Sequence, residues 1–122
     1  MSEEKLNNRR TGENYESIAC EYLISKGLHV IERNFRCRIG EIDIILKDGD
    51  TYVFTEVKYR KTAKYGSPYE AVTKSKMKKI SQVSLNYIKY KKLPINGSFR
   101  FDVISILDGD ITWYKDAFPF IK

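Results

Sequence analysis

Apolar residues recur with a helical period near the start of the chain. The stripe has the spacing i, i+3, i+4, i+7 and i+8 and consists of Tyr15, Ile18, Ala19, Tyr22 and Leu23. It predicts a helix that begins at residues 11–14 and ends at Ser25 or Lys26. Gly27 then fits the position after the helix, where a positive φ is favourable. We expect residues 1–10 to be a flexible N-terminus and residues 11–122 to form a single domain.

Strand patterns follow this helix. The segment LHVIERNF, residues 28–35, is rich in β-branched and aromatic residues and predicts a first strand. Between residues 41 and 60, two alternating apolar runs flank the turn-forming letters KDGD, which predicts a β-hairpin.

The second half of the chain adds a helix and two more strands. A loop at 64–69 precedes a helix predicted over residues 70–90, and SFRFDVISIL and ITWYK predict the last two strands. The order α-β-β-β-α-β-β indicates the α/β class, with a mixed central sheet of about five strands flanked by helices.

Composition narrows the classes of function. No stretch approaches the roughly 20 apolar residues that cross a membrane, and the N-terminus lacks the apolar region of a secretory signal, so we expect a cytoplasmic protein without a membrane partner. The chain has one histidine and two cysteines, too few for a multi-histidine metal site or a disulfide scaffold. Any catalysis must therefore depend on carboxylates, lysines, tyrosines or hydroxyls.

Net charge points to a polyanionic partner. The 22 Lys and Arg outnumber the 16 Asp and Glu, which gives a formal charge of +6. Such an excess favours nucleic acid or an anionic surface.

The hairpin carries the candidate chemistry. A two-residue Asp48-Gly49 turn would place Asp43 opposite Phe54, whereas a longer loop that shifts the register by two residues would place it opposite Glu56. In both registers Asp43, Glu56 and Lys58 share one face. Two carboxylates at close range need a cation between them, and oxygen ligands suit Mg²⁺ or Mn²⁺. Structural explanations stay open, because a Glu–Lys pair is common on a solvated strand and Asp43 could pair with an arginine.

Several stretches resemble the YraN family, whose members are predicted endonucleases similar to archaeal Holliday junction resolvases. The resemblance covers nearly the whole chain and rests on TGENYESIACEYL, RNFRCRIGEIDIILKDGD, VFTEVKYRK, YGSPYEAVTKSKMKKI, RFDVISI and ITWYKDAF. It implies a restriction-endonuclease-like core of the PD-(D/E)xK superfamily. Ile42 stands where the superfamily's name has proline.

The resemblance also implies roles for individual residues. It assigns catalytic positions to Glu16, Asp43, Glu56 and Lys58, with Asp43 and Glu56 as the metal ligands. It places nucleic-acid contacts at Arg36, Arg60 and Lys76. The implied cofactor is Mg²⁺ or Mn²⁺, the implied partner is nucleic acid with DNA favoured, and resolvase relatives suggest a homodimer.

Three functions therefore remain as hypotheses. The first is a metal-dependent endonuclease that hydrolyses phosphodiester bonds in branched or flapped DNA. The second is a nucleic-acid-binding protein of the same fold with weak or no catalysis, and the third is a protein-binding adaptor.

Overall fold

Helices and strands follow one another in the predicted order. The computed structural model describes residues 3–64 and 66–122, with side chains from residue 12 onwards. The elements are α1 (Glu3–Ser25), β1 (His29–Arg36), β2 (Glu41–Asp48), β3 (Thr51–Arg60), a short 3-10 helix (Pro68–Ala71), α2 (Lys74–Tyr90), β4 (Phe99–Leu107) and β5 (Asp110–Phe118). This confirms the α/β class and the element order.

The five strands form one mixed sheet in the order β1-β2-β3-β4-β5. The β1-β2, β2-β3 and β4-β5 pairs are antiparallel, and β3 and β4 are parallel. Parallel neighbours need a crossover connection, and the segment containing α2 supplies it.

Each helix covers one face of the sheet. Neighbouring strand residues face opposite ways, so Val53 packs under α1 with Ala19 and Leu23, whereas Phe54 packs under α2 with Tyr87. The buried strands are consequently apolar on both sides, which is typical of a sheet covered by helices. The polar side chains that remain buried on β3 stand out against this background.

Helix boundaries differ from the prediction. The helix α1 begins at Glu3, well before residues 11–14, and ends at Ser25 as expected, with Gly27 at φ 95°. The predicted flexible N-terminus comprises residues 1–10. Positions 1 and 2 lie outside the described residues, and so do the side chains of residues 3–10, whose backbone belongs to α1. The helix α2 begins at Lys74 because the Thr73 side chain accepts a hydrogen bond from the Lys76 amide at 3.2 Å and caps it.

The hairpin has the second of the two registers, but a two-residue turn displaced by one position, rather than a longer loop, produces it. Asp48 faces Thr51, so Gly49 and Asp50 form the turn, and Gly49 has φ 60°. Ile44 faces Thr55, which makes Asp43 and Glu56 the next opposing positions. The described helices include none with the length and apolarity that a membrane crossing requires.

Candidate active site

A cavity of about 680 Å³ opens where the β2-β3 hairpin ends. Both helices and three strands contribute to its wall. The lining residues are Gly12, Glu13, Glu16, Asn34, Arg36, Glu41, Asp43, Glu56, Val57, Lys58, Tyr59, Lys76, Lys79 and Ile80. Residues from five elements of the fold therefore meet at one site.

The cavity is located at a fork in the sheet. The β2-β3 pairing runs only as far as Ile44 and Thr55, whereas β2 continues beside β1 to Glu41 and β3 continues beside β4 to Arg60. The alternation of side chains along β2 is interrupted here. In a regular strand Ile42 and Ile44 would face the same side of the sheet, but Ile42 packs on the α2 side, with Ile45, and Ile44 packs on the α1 side.

The Asp43 side chain occupies the fork. The Val57 backbone amide donates a hydrogen bond to Asp43 Oδ2 at 2.8 Å. The carboxylate thus satisfies a β3 amide at the point where the two strands separate. Because this bond fixes one oxygen of Asp43, the orientation of the acid is set by the backbone of the opposite strand.

Glu56 and Lys58 project from the same side of β3. Lys58 Nζ lies 3.7 Å from Glu56 Oε2. Only 6% of Glu56 is exposed, so this acid is almost completely removed from water. A buried carboxylate is costly unless a cation or a proton neutralises it.

Glu16 reaches the cavity from α1. Its Oε2 lies 3.9 Å from Arg33 Nη2, and Arg33 also donates hydrogen bonds to Ser17 Oγ at 3.3 Å and to the Glu13 carbonyl at 3.5 Å. Arg33 belongs to β1, so its guanidinium joins that strand to three positions on one side of the helix, Glu13, Glu16 and Ser17. This arrangement holds the acidic face of α1 towards the fork.

Burial and mutual repulsion shift the pKa values of the three carboxyl groups upwards. Burial, followed by the Asp43 charge, raises the pKa of Glu56 to about 8. The same two causes raise the pKa of Glu16 to about 7, although Arg33 opposes them. Burial also raises the pKa of Asp43, against the hydrogen bond from Val57 and the charge of Lys58.

Cationic side chains from α2 and from the end of β1 complete the site. The pKa of the Lys76 ammonium is lowered, first because the Lys58 amine interacts with it and then because it is partly buried. Arg36 Nε donates to Glu41 Oε2 at 2.9 Å, and Lys79 also lines the cavity. Two amines that approach each other beside buried acids form a site that could hold an anion between them.

The lining as a whole carries more acid than base. Among the described side chains, five carboxylates and four cationic groups face the cavity. The fully ionised site would therefore carry a negative charge, even though the chain has a formal charge of +6. A phosphate would be repelled unless the acids bind protons or a cation.

The donor set fits a hard divalent cation. Asp43 and Glu56 offer carboxylate oxygens from adjacent strands, and Mg²⁺ is commonly bound by one or two carboxylates with several waters. Within the described residues, no three Asp, Glu, His or Cys side chains are close enough to enclose a metal ion by themselves. A bound ion would thus need water or substrate oxygens as further ligands.

Six of the seven residues singled out from the sequence line this cavity: Glu16, Arg36, Asp43, Glu56, Lys58 and Lys76. Arg60 lies two residues beyond Lys58 on β3 and does not belong to the lining. Its contact with nucleic acid stays a prediction.

The sequence pattern assigns no role to Glu13 or Arg33 and treats Lys79 as part of a basic run on α2. It places Glu41 on the same strand face as Asp43, because the two positions have the same parity, but gives Glu41 no function. Glu13 and Arg33 gave no such signal, since their contact depends on how α1 packs against β1.

Comparison with known proteins identifies the family. A UPF0102 protein of Geotalea daltonii is 48% identical over 95% of this chain and 94% of the relative. A UPF0102 protein of Aliivibrio fischeri is 43% identical over 94% of this chain and 96% of the relative, and one of Caldicellulosiruptor saccharolyticus is 39% identical over 93% of this chain and all of the relative. The profile described as "Uncharacterised protein family UPF0102" matches residues 15–106, a span that includes Glu16 on α1, the whole hairpin and α2. The chain therefore belongs to the UPF0102 family, which is the YraN family that its sequence resembles.

Proposed function

We propose that this protein is a metal-dependent endonuclease that hydrolyses phosphodiester bonds in branched or flapped DNA and acts in the cytoplasm. The observation that supports this most strongly is the convergence of Asp43, Glu56 and Lys58 at the fork. Buried acids whose pKa values are raised lower the stability of the fold, so the needs of packing do not explain their presence. Groups with such perturbed pKa values, gathered in a cleft, are typical of functional sites.

Asp43 and Glu56 are the residues that would hold Mg²⁺ or Mn²⁺. When bound there, such an ion would supply positive charge to a phosphate oxygen and make an attacking water more acidic. The hydrogen bond from the Val57 amide holds the Asp43 carboxylate in place, so Asp43 is already oriented before an ion binds. The excess negative charge of the lining gives a physical reason why substrate and cation should bind together.

Lys58 has a position suited to catalysis. Its ammonium can donate a hydrogen bond to the attacking water or to the oxygen that becomes negatively charged, because it lies beside Glu56 rather than at the surface. Glu16 reaches the same cavity from α1, where its carboxyl group could accept or donate a proton. These two side chains enter from different elements, β3 and α1, and would flank the reacting phosphate.

Basic side chains at the rim would bind the nucleic acid backbone. Lys76 and Lys79 belong to the first two turns of α2, and Arg36 stands at the end of β1. Contacts of this kind add affinity and salt dependence without reading a base sequence. We therefore expect selection by shape rather than sequence.

The test is cleavage of end-labelled branched, flapped and duplex DNA with Mg²⁺, with Mn²⁺ and with EDTA. We expect metal-dependent cleavage that falls by about 10²-fold or more in Asp43→Asn and in Lys58→Met, the loss expected for an electrostatic group of an active site. Asp50→Asn in the hairpin turn and Lys89→Met near the end of α2 are matched controls that alter the same residue types at exposed positions. They should cleave at the parent rate.

Equal cleavage by the parent and Asp43→Asn would refute the proposal. Salt-dependent DNA binding without cleavage in any metal would favour the second candidate function, a nucleic-acid-binding protein, for which the basic rim at Arg36, Lys76 and Lys79 is the supporting observation. No binding to DNA or RNA at low salt would favour the protein-binding adaptor. Sedimentation of the protein with and without DNA tests whether it works as a homodimer.

A further inference from the structure

An exposed tyrosine borders the cavity next to Lys58. Tyr59 lines the cavity wall, and 38% of its surface is accessible to solvent. Its ring stacks on the ring of Tyr15 from α1, with centroids 4.2 Å apart and planes inclined by 21°. An aromatic ring is thus presented to solvent at the same cleft that holds the acids and amines.

The position of this ring is well defined. Tyr15 packs against the apolar cluster under α1, and Tyr59 is held in β3 by pairing with Ile106 of β4. The α1 backbone also passes close to the Tyr59 hydroxyl, since a methyl group added at Gly12 would lie 3.7 Å from that oxygen. The stack therefore joins the first helix to the strand that carries Glu56 and Lys58.

We propose that Tyr59 is a stacking platform for an unpaired nucleotide base, so that the substrate is single-stranded beside the bond that is cut. This inference rests on the proposed nuclease function and names its substrate class. Proteins that bind single strands combine cationic groups for the backbone with aromatic rings for the bases. Here the amines of Lys58 and Lys76 supply the first element and Tyr59 supplies the second.

The two side chains reach the cavity from opposite faces of β3. Lys58 and Tyr59 are consecutive, so Lys58 points to the side of Glu56 and α2, whereas Tyr59 points to the side of α1, where it stacks on Tyr15. Both side chains line the cavity, so a single strand bound there would meet the Lys58 amine with its backbone and the Tyr59 ring with a base. A base inside a duplex already has a stacked neighbour on each face and must leave the helix before it can join the Tyr15–Tyr59 stack.

The test measures binding of a fluorescently labelled single-stranded 12-mer and of a duplex of the same sequence. Both are titrated in Ca²⁺ at low salt by fluorescence anisotropy, and the single strand is also prepared with one abasic nucleotide at each position in turn. We expect Tyr59→Leu to weaken binding of the intact single strand about tenfold, within the range for one base stacked on an aromatic residue. Tyr59→Phe, which keeps the ring, should stay within about twofold of the parent.

The abasic series distinguishes stacking from a structural role. At one position the abasic strand should weaken binding by the parent as much as Tyr59→Leu does, and the two changes combined should cost no more than either alone. Equal loss by Tyr59→Leu on intact and abasic strands at every position would overturn the proposal, as would equal affinity for duplex and single strand or no binding to the single strand.

Tyr15→Leu controls for the stability of α1. This variant loses the same internal ring stack but keeps the Tyr59 ring, so it should retain the coupling to the abasic position even if it unfolds at a lower temperature. Loss of coupling in Tyr15→Leu at a temperature where the protein is folded would contradict the platform role. Failure of the parent to cleave in Mg²⁺ or Mn²⁺, with the coupling intact, would instead refute the nuclease function alone.

Discussion

Replacing Glu56 with glutamine should stabilise the metal-free protein at neutral pH. Glu56 is buried beside Asp43, and this environment raises its pKa from 4.5 to about 8. In the unfolded chain the carboxyl group is solvated and loses its proton at the ordinary pKa. The folded state therefore binds a proton that the unfolded state releases. Glutamine has nearly the same volume but does not ionise, so the substitution removes this difference in proton binding.

The size of the effect follows from the two pKa values. Each unit of difference is worth about 1.4 kcal/mol once the pH lies between them. At pH 7, well above the unfolded value and below the folded one, the penalty for Glu56 amounts to about 3 kcal/mol. Because the pKa of Glu56 is higher in the folded state, its contribution to stability is greatest below pH 4.5 and is lost as the pH rises to about 8. The raised pKa values of Glu16 and Asp43 act in the same direction.

Urea unfolding in EDTA at intervals from pH 5 to pH 8 measures this effect. The parent should lose stability as pH rises, and Glu56→Gln should lose much less, so the two curves should diverge by about 3 kcal/mol near pH 7. Glu21→Gln, a matched change at an exposed position of α1, should follow the parent. A parent curve that is flat or rising over this interval, or a Glu56→Gln variant less stable than the parent at pH 8, would refute the reasoning.

Three further predictions concern contacts away from the acid pair. Arg33→Ala should cost less than about 1 kcal/mol in urea unfolding, as exposed ion pairs do, yet lower DNA cleavage several-fold because α1 loses its attachment to β1; a parent cleavage rate would count against this role. Asp102→Ala should lower the free energy of unfolding by about 3 kcal/mol, because fully buried Asp102 accepts two hydrogen bonds from Arg100 at 3.0 and 3.2 Å that would be lost, and a loss within measurement error would disprove this. Gly66→Ala should cost about 1–2 kcal/mol, since Gly66 has φ 95°, a backbone conformation that residues with a side chain rarely adopt; an unchanged melting temperature would contradict it.

Periodicity was sufficient to predict the elements and their order. The stripe from Tyr15 to Leu23 identified α1 and the buried face that packs on the sheet. The pattern does not reveal the start of α1 at Glu3, because residues 3–10 are mostly polar and a helix segment without an apolar face leaves no periodic signal. The predicted start of α2 lies four residues before the observed one, because Pro68–Ala71 forms a separate 3-10 helix ahead of the Thr73 cap.

The candidate site was predictable where it depends on strand parity. Alternation predicts that Asp43, Glu56 and Lys58 share a face, and the three do meet in one cavity, although the interruption of β2 between Ile42 and Ile44 gave no signal in the sequence. The register could not be chosen, because Asp48, Gly49 and Asp50 offer two equivalent turn positions. The contributions of Glu13, Arg33 and Lys79 depend on how the helices pack on opposite faces of the sheet, which is a long-range property that local sequence does not encode.

The fork also makes the hairpin responsive to whatever binds between its arms. Past Ile44 and Thr55 the backbone ladder between β2 and β3 ends, and the Asp43 carboxylate takes over the Val57 amide. A ligand that bridges Asp43 and Glu56 would hold these two arms at their present separation and oppose their opening. Occupancy of the cavity should therefore be detectable as slower hydrogen exchange at the Val57 amide, even when no chemical step takes place.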